Sequence, residues 1–121
     1  MKPLTPQEIP SFQERFSNFE DAEIRSLKVV DATTLQLTLA TQDKARGFDW
    51  VELCMEFSGV CDAHLPKDSQ LDFIETSEGF SLLYKDSLYG CGTGNACSIE
   101  TIKNSTCYIL AQTIKYQENL F

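Results

Sequence analysis

The chain contains one histidine, His64, so every histidine-dependent mechanism would have to use this residue. Nucleophilic catalysis places a nucleophile, a base and an orienting group within hydrogen-bond reach of one another. His64 stands near the end of an expected strand, and the residues around it supply no such arrangement. We therefore interpret it as a solvated or structurally hydrogen-bonded histidine. A dyad with a cysteine such as Cys61, beside a cavity in the sheet, stays open as an alternative.

The cysteines are the other residues whose chemistry could be functional. Structural zinc sites use four cysteine or histidine ligands that usually arrive as closely spaced pairs. The sequence has no Cys-x-x-Cys pair, and neither Cys54 with Cys61 nor Cys91 with Cys97 has the spacing of a zinc knuckle. We expect free cysteines, of which Cys107 is the fifth, with no metal and no cofactor.

Three glycines at alternate positions, Gly90, Gly92 and Gly94, superficially resemble a phosphate-binding loop. The dinucleotide fingerprint is Gly-x-Gly-x-x-Gly, and the Walker loop ends in Gly-Lys-Ser or Gly-Lys-Thr. The third glycine here stands one position too early, and no lysine follows it directly. The spacing therefore predicts a flexible surface loop over residues 90–95 in preference to a nucleotide cradle.

Carboxylates form the remaining candidate site, and their positions favour binding over catalysis. Glu52 and Glu56 alternate with apolar residues in one expected strand, so both should project from its outer face. Acid–base catalysis needs two carboxylates whose burial separates their pKa values, which an exposed stripe does not provide. Such a stripe suits a basic partner. The candidate partner-binding residues are Asp21, Glu23, Asp49, Trp50, Glu52 and Glu56.

Trp50 has two possible roles at the edge of this stripe. Together with Phe48 it flanks Asp49, and tryptophan often dominates the energy of a protein interface. Tryptophan is also highly buried on average, and core packing is the interpretation that we favour for this residue.

The charge balance narrows the class of partner. The chain carries 18 acidic and 10 basic side chains, for a formal net charge of −8. Nucleic acids and anionic membranes attract concentrations of lysine and arginine, so an acidic chain is a poor candidate for binding either. Acidic charge favours solubility, which is its ordinary interpretation, or association with a basic protein.

The sequence predicts a cytoplasmic protein. No segment approaches the roughly 20 apolar residues that a membrane helix needs. The first residues lack the apolar stretch of a secretory signal, so we also expect the thiols to be reduced.

An entry segment, residues 1–20, precedes the strands. Ser11 and Glu14 have the spacing of a capping box, which predicts a short helix that begins at Ser11. Three phenylalanines recur there at three- or four-residue spacing and should pack on the domain: Phe12, Phe16 and Phe19.

Beyond this segment, apolar and polar residues alternate with a period of two, which is typical of half-buried antiparallel strands. The elements predict a single domain, residues 1–121, of the mainly-β class. Its architecture should be one antiparallel sheet of about six strands, curled or sandwich-like, with a short N-terminal helix. Strands are expected at 24–30, 35–40, 50–57, 60–64, 71–76, 80–85 and 106–116, a break at Ser58-Gly59, a helical turn at 98–103, a surface loop at 41–48 and a flexible tail at 117–121.

Two stretches resemble a known family. FEDAEIRSL at residues 19–27, followed by TLQLTL at 34–39, resembles the opening of small mostly-β immunity proteins of bacterial polymorphic toxin systems. In that family a Phe-His-Asp-Ala-Glu motif leads into a strand pair, and Glu20 stands here where the family usually has histidine. VELCMEFSGVCD at residues 51–62 resembles its next element, an alternating strand that ends in Phe-x-Gly-Val and an acidic residue. The resemblance extends over residues 19–65.

This resemblance implies a protein that neutralises a cognate toxin domain by occlusion, without catalysis or cofactor. Together with the negative charge, it gives our leading hypothesis, which is a non-enzymatic cytoplasmic protein that blocks a basic toxin domain through an acidic face. One alternative is a small enzyme or ligand-binding domain that uses a sheet cavity near His64, Cys61 and residues 90–94. Another is a structural module of unassigned role, and the oligomeric state stays open.

Overall fold

A computed structural model of the protein describes residues 1–67, 74 and 76–120. The described chain is mostly β-structure. No helix within it is long and apolar enough to cross a membrane. The elements are β1 Lys2–Pro3, α1 Ile9–Arg15, β2 Glu23–Asp31, β3 Thr34–Asp43, β4 Asp49–Ser58, β5 Asp62–His64, β6 Phe80–Lys85, β7 Leu88–Thr93, α2 Ile99–Ile102, β8 Tyr108–Ala111 and β9 Thr113–Leu120.

The strands divide between two antiparallel sheets, one with the order β1-β9-β4-β3-β2 and the other with the order β5-β8-β7-β6. The predicted mainly-β antiparallel fold with a short N-terminal helix is confirmed. The prediction had one sheet of about six strands, curled or sandwich-like, whereas the strands of the structure form two sheets of five and four. Apolar residues of both sheets belong to one buried cluster, so the two sheets share a core.

Period-two alternation places the centre of this core on β3 and β4. Val51, Leu53, Met55 and Phe57 are all completely buried, and the residues between them are partly exposed. The same alternation in β3 sets the register of the two strands, because a slip of one residue would turn every apolar side chain to solvent. Leu37 accordingly lies opposite Met55.

The N-terminal segment closes the core between the sheets. Phe12, Phe16 and Phe19 are buried, as predicted. The ring centres of Phe12 and Tyr116, in the five-stranded sheet, are 4.8 Å apart. Those of Phe19 and Phe80, in the four-stranded sheet, are 6.4 Å apart. Because these rings contact both sheets, the segment belongs to the core.

The start of α1 differs from the predicted capping box. The helix begins at Ile9, with Pro10 in its first turn, where the missing amide hydrogen costs no helical hydrogen bond. The Ser11 hydroxyl lies inside the helix and donates to the carbonyl of Glu8, at 3.0 Å. The Ser-x-x-Glu spacing is therefore not a cap in this protein.

The chain crosses between the sheets at two adjacent points. β4 ends at Ser58, and Gly59, with a φ of 68°, turns the chain toward β5 of the other sheet. The amide of Gln112, between β8 and β9, donates to the carbonyls of both Ser58 and Gly59. The predicted break at Ser58-Gly59 is confirmed, whereas the expected single strand over residues 106–116 is two strands, one in each sheet.

The predicted flexible tail over residues 117–121 is wrong where the structure describes it. β9 continues to Leu120 and pairs with β4, which places Glu118 opposite Leu53. Residue 121 lies outside the described residues. The ladder to a central strand orders this polar segment.

The predicted surface loop over residues 41–48 is shorter than expected. β3 extends through Asp43, and the side chains of Thr41 and Asp43 are buried. A single 3-10 turn, Lys44–Arg46, and Gly47 then connect β3 to β4. The expected helical turn over residues 98–103 is confirmed as α2, capped by Ser98.

Asp86 and Ser87 join β6 and β7 in a two-residue hairpin. Both have positive φ, 53° and 65°, the backbone combination of a type I′ turn, whose twist matches that of the flanking strands. The predicted strand over residues 80–85 is confirmed as β6. Its predicted partner over residues 71–76 falls largely outside the described residues.

Candidate functional site

The face of the five-stranded sheet that points away from the core is polar, and we call it the open face. It consists of the even-numbered residues of β3 and β4, the odd-numbered residues of β9, and Glu23, Ser26 and Lys28 of β2. β4 lies inside the sheet with β3 on one side and β9 on the other, so its side chains project from a rigid support.

Four of the six predicted partner-binding residues lie on the open face: Glu23, Trp50, Glu52 and Glu56. The other two do not join them. Asp49 is exposed but alternates to the opposite side of β4, where it pairs with Asp43. Asp21 is in the turn before β2, with a φ of 60°. Its amide donates to the carbonyl of Thr76, at 2.9 Å.

The open face carries both signs of charge. The Glu56 carboxylate accepts a hydrogen bond from the side-chain amide of Gln36, at 3.1 Å, and Glu56 lies opposite Lys115 in the register. Lys28 occupies the same row across the sheet. The negative charge is therefore partly compensated around Glu56, and the uniform acidic stripe expected from β4 alone is interrupted by lysines from the neighbouring strands.

Trp50 is 44% exposed, so the predicted core packing of this residue is wrong. It stands at the end of β4 on the open face, opposite Gln42. Phe48, which is 51% exposed, precedes it in a left-handed conformation with a φ of 67°. The backbone amide of Phe48 donates to the carbonyl of Asp43. The carbonyl of Phe48 accepts from the side-chain amide of Gln42, at 3.3 Å.

Holding a bulky residue in the left-handed region costs about 1–3 kcal/mol, and such strain often occurs at binding sites. Phe48 and Trp50 together place two large, half-exposed aromatic side chains at one end of the open face. Sequence reasoning identified this pair as a candidate anchor. It placed only Phe48 in a surface loop, over residues 41–48, and favoured a buried position for Trp50.

A buried ionic cluster lies on the other side of the same sheet and was not predicted. Arg15 of α1 donates from Nε and Nη2 to the two carboxylate oxygens of Asp43, at 2.9 and 2.8 Å, and from Nη2 to Glu118, at 3.2 Å. The Arg15 hydrogen bonds hold the pKa of Asp43 below its usual value, and the Asp43 hydrogen bonds raise the pKa of Arg15. The Asp43 side chain is completely buried, so this contact fastens α1 to the sheet.

Two shallow depressions flank α1 near this cluster. Their volumes are about 320 and 190 Å³, and both include Ser11 and Arg15 in their walls. Because Nε and Nη2 of Arg15 already donate to Asp43 and Glu118, that edge of the guanidinium is occupied by the protein's own carboxylates.

His64 is exposed on β5, and its Nδ1 lies 3.0 Å from the carbonyl oxygen of Thr106. A nitrogen so placed donates its hydrogen, which sets the tautomer. The imidazole also stacks on Tyr108, with 6.3 Å between ring centres. The interpretation of His64 as a structurally hydrogen-bonded histidine is confirmed.

The glycines predicted to form a flexible loop are largely strand residues. Gly90 and Gly92 lie on one face of β7 and are buried beneath α2. An added Cβ at Gly90 would lie 2.8 Å from Cδ1 of Ile99, and one at Gly92 would lie 2.8 Å from Oγ of Ser105. Their alternate spacing lets α2 approach the sheet, so the space above them is filled by the protein itself.

The five cysteines are free. Cys61 and Cys97 are exposed, whereas Cys91 and Cys107 are buried. Burial raises the pKa of the Cys91 thiol strongly and that of Cys107 to about 11. Among the described residues, no group of three or more cysteine, histidine or carboxylate side chains could hold a metal ion.

We expect Cys61 and Cys97 to react promptly with a water-soluble aromatic disulfide at neutral pH, and Cys91 and Cys107 to react only after unfolding. The thiolate is the reactive species, and burial removes both access and thiolate. Release of the coloured thiol with time, followed by peptide mass spectrometry, measures this order. Labelling of Cys91 as fast as Cys61 in the native protein would contradict the buried position of Cys91.

No protein-family model, curated protein or solved structure matches this chain.

Proposed function

We propose that this protein is a non-enzymatic, immunity-like binding protein that neutralises a cognate toxin by occlusion through its open face. The observation that carries the proposal is the arrangement of Trp50, Glu52 and Glu56 on one side of a strand inside the sheet. The residues that resemble immunity proteins, 19–65, include β2, β3 and β4, and these strands form most of that face.

Occlusion needs a rigid, complementary surface and no reacting group. Side chains on β4 are held by ladders on both sides, which limits the conformational entropy that binding would cost. The net charge of −8 steers a basic partner toward the protein. Where the partner is a nuclease, the carboxylates would cover its phosphate-binding surface.

A growth assay tests the proposal. The protein encoded beside this chain in its source genome is produced in cells alone and together with the chain. We expect growth to stop in the first case and to resume in the second, and we expect the purified pair to associate more slowly as ionic strength rises. Absence of toxicity, or toxicity that this chain does not relieve, would reject the proposed function.

A matched pair of charge reversals locates the contact. Glu52→Lys changes the open face, whereas Glu14→Lys makes the same change on α1, on the other side of the sheet. Like charges facing each other at an interface are costly, so we expect Glu52→Lys to weaken binding of the toxin by about tenfold or more. Glu14→Lys should leave the affinity unchanged.

A further inference from the structure

We infer that the Trp50 end of the open face is a subsite for an arginine side chain of the partner protein, which stacks on the indole and pairs with the Glu52 carboxylate. This inference rests on the proposed function, because it names the chemistry that the partner presents to the same face. It is carried by three features of the surface around these two residues.

The first feature is the unpaired charge of Glu52. The other carboxylates of the face have partners, since Glu56 is bonded to Gln36 and Glu23 pairs with Arg25, at 3.3 Å. Glu52 has no hydrogen bond or ion pair within the part of the chain that the structure describes. Its cross-strand neighbours, Ala40 and Asn119, carry no charge. A half-buried carboxylate in this state is complementary to a cation from outside.

The second feature is the position of the indole. Trp50 and Glu52 are two residues apart on the same side of β4, so their side chains stand about 7 Å apart along the strand. Within the part of the chain that the structure describes, the cation–π contact is that of Arg15 on Phe16, at the far side of the sheet from the indole. A cation within about 6 Å of the ring centre is attracted to its face.

The third feature is the accessible surface beside the indole. Gln42, opposite Trp50, is exposed and its side-chain amide is turned toward the carbonyl of Phe48, whereas Ala40, opposite Glu52, is buried. A flat group would therefore lie over the row of Gln42 and Trp50 and reach the Glu52 carboxylate along β4. The guanidinium is planar, stacks on aromatic rings and forms paired hydrogen bonds to a carboxylate, which a lysine ammonium does not do. The surface favours arginine over lysine for this reason.

The test compares two capped peptides that differ only in their cations. One contains two arginines separated by a glycine, and the other contains two lysines at the same positions. Fluorescence anisotropy of a dye on each peptide measures the affinity at low ionic strength. We expect the arginine peptide to bind about two- to fivefold more tightly, which is the range of an exposed cation–π contact. The sole tryptophan of the chain should report the same binding by a change in its emission.

Three variants assign the contacts. Glu52→Gln should weaken binding of the arginine peptide about two- to fivefold, as expected for an exposed ion pair. Trp50→Leu should abolish the preference for arginine. Glu14→Gln, a matched control at an exposed carboxylate on α1, on the other side of the sheet, should bind as the wild type does. Equal affinity for the two peptides, undetectable binding, or equal losses in Glu52→Gln and Glu14→Gln would overturn the inference.

The inference and the proposed function fail in different ways. A chain that protects cells equally well as wild type and as the Trp50→Leu and Glu52→Gln double variant has the proposed function without the arginine subsite. A chain that binds the arginine peptide selectively but protects against no toxin retains the subsite and loses the proposed function.

Discussion

Asp43→Ala is expected to lower the free energy of unfolding by about 2–4 kcal/mol, somewhat less than the full cost of breaking a completely buried ion pair. The Asp43 carboxylate is fully buried, and the Arg15 side chain is 25% exposed, so some of its charge is solvated after the loss. Glu118 remains as a second, weaker partner, at 3.2 Å. The substitution also removes the acceptor of the Ala45 amide, at 3.0 Å, which starts the 3-10 turn after β3. Urea unfolding of both proteins measures the difference.

The neighbouring surface pair provides a matched control. Lys44 and Glu14 lie 3.4 Å apart between the same turn and the same helix, with 52% and 74% of their side chains exposed. An exposed pair of this kind contributes about 0–1 kcal/mol, so Glu14→Ala should be nearly neutral. Equal losses in Asp43→Ala and Glu14→Ala would mean that the buried contact does not fasten α1 to the sheet.

The same carboxylate predicts an acid dependence. Because the folded state lowers the pKa of Asp43, its stabilising contribution is complete above the ordinary pKa of about 4 and is lost as the pH falls through the lower, folded value. Asp43→Asn keeps the shape and removes the titration. The difference in stability between the wild type and Asp43→Asn should therefore be constant near neutral pH and should shrink in acid. A difference that grew in acid would have the wrong sign.

The open face was predictable because one strand contained its signal. Alternation in β4 alone placed Glu52 and Glu56 on the side opposite Leu53 and Met55, and the register of the sheet agrees. The charge of the face was not predictable, because Lys115 reaches it from a strand almost 60 residues later in the chain. Such neighbours depend on strand order, which local periodicity does not encode.

The missed elements share a different physical cause. The residues of β9 that face the core run Ile114, Tyr116, Glu118, so the apolar alternation ends where a carboxylate turns inward to meet Arg15. Gly90 and Gly92 have no side chains, so they add nothing to the apolar alternation by which a strand is recognised. The sequence therefore did not predict β7. The partner of Glu118 is 103 residues away in sequence, whereas α2, which packs on Gly90, follows it closely.

Gly79→Ala is expected to cost about 2–4 kcal/mol, because it adds a steric overlap to an unfavourable backbone conformation. Gly79 has a φ of 75° and ends the turn that begins at Thr76. An added Cβ would overlap the carbonyl oxygen of Asn18 and lie 2.9 Å from the amide nitrogen of Glu20. Backbone atoms cannot move aside as a flexible side chain can, and Asn18 and Glu20 flank the buried Phe19 just before β2.

Gly47→Ala separates the two causes of that loss. Gly47 has a similar φ, 65°, but no atom lies within 4 Å of an added Cβ. Its substitution should cost only about 1 kcal/mol, the price of the left-handed conformation by itself. Urea unfolding midpoints of the two variants, compared at equal m-value, give the steric contribution at Gly79 as their difference. Equal midpoints would mean that the turn around Asn18 yields freely, and that the N-terminal segment is not fixed against residues 76–79.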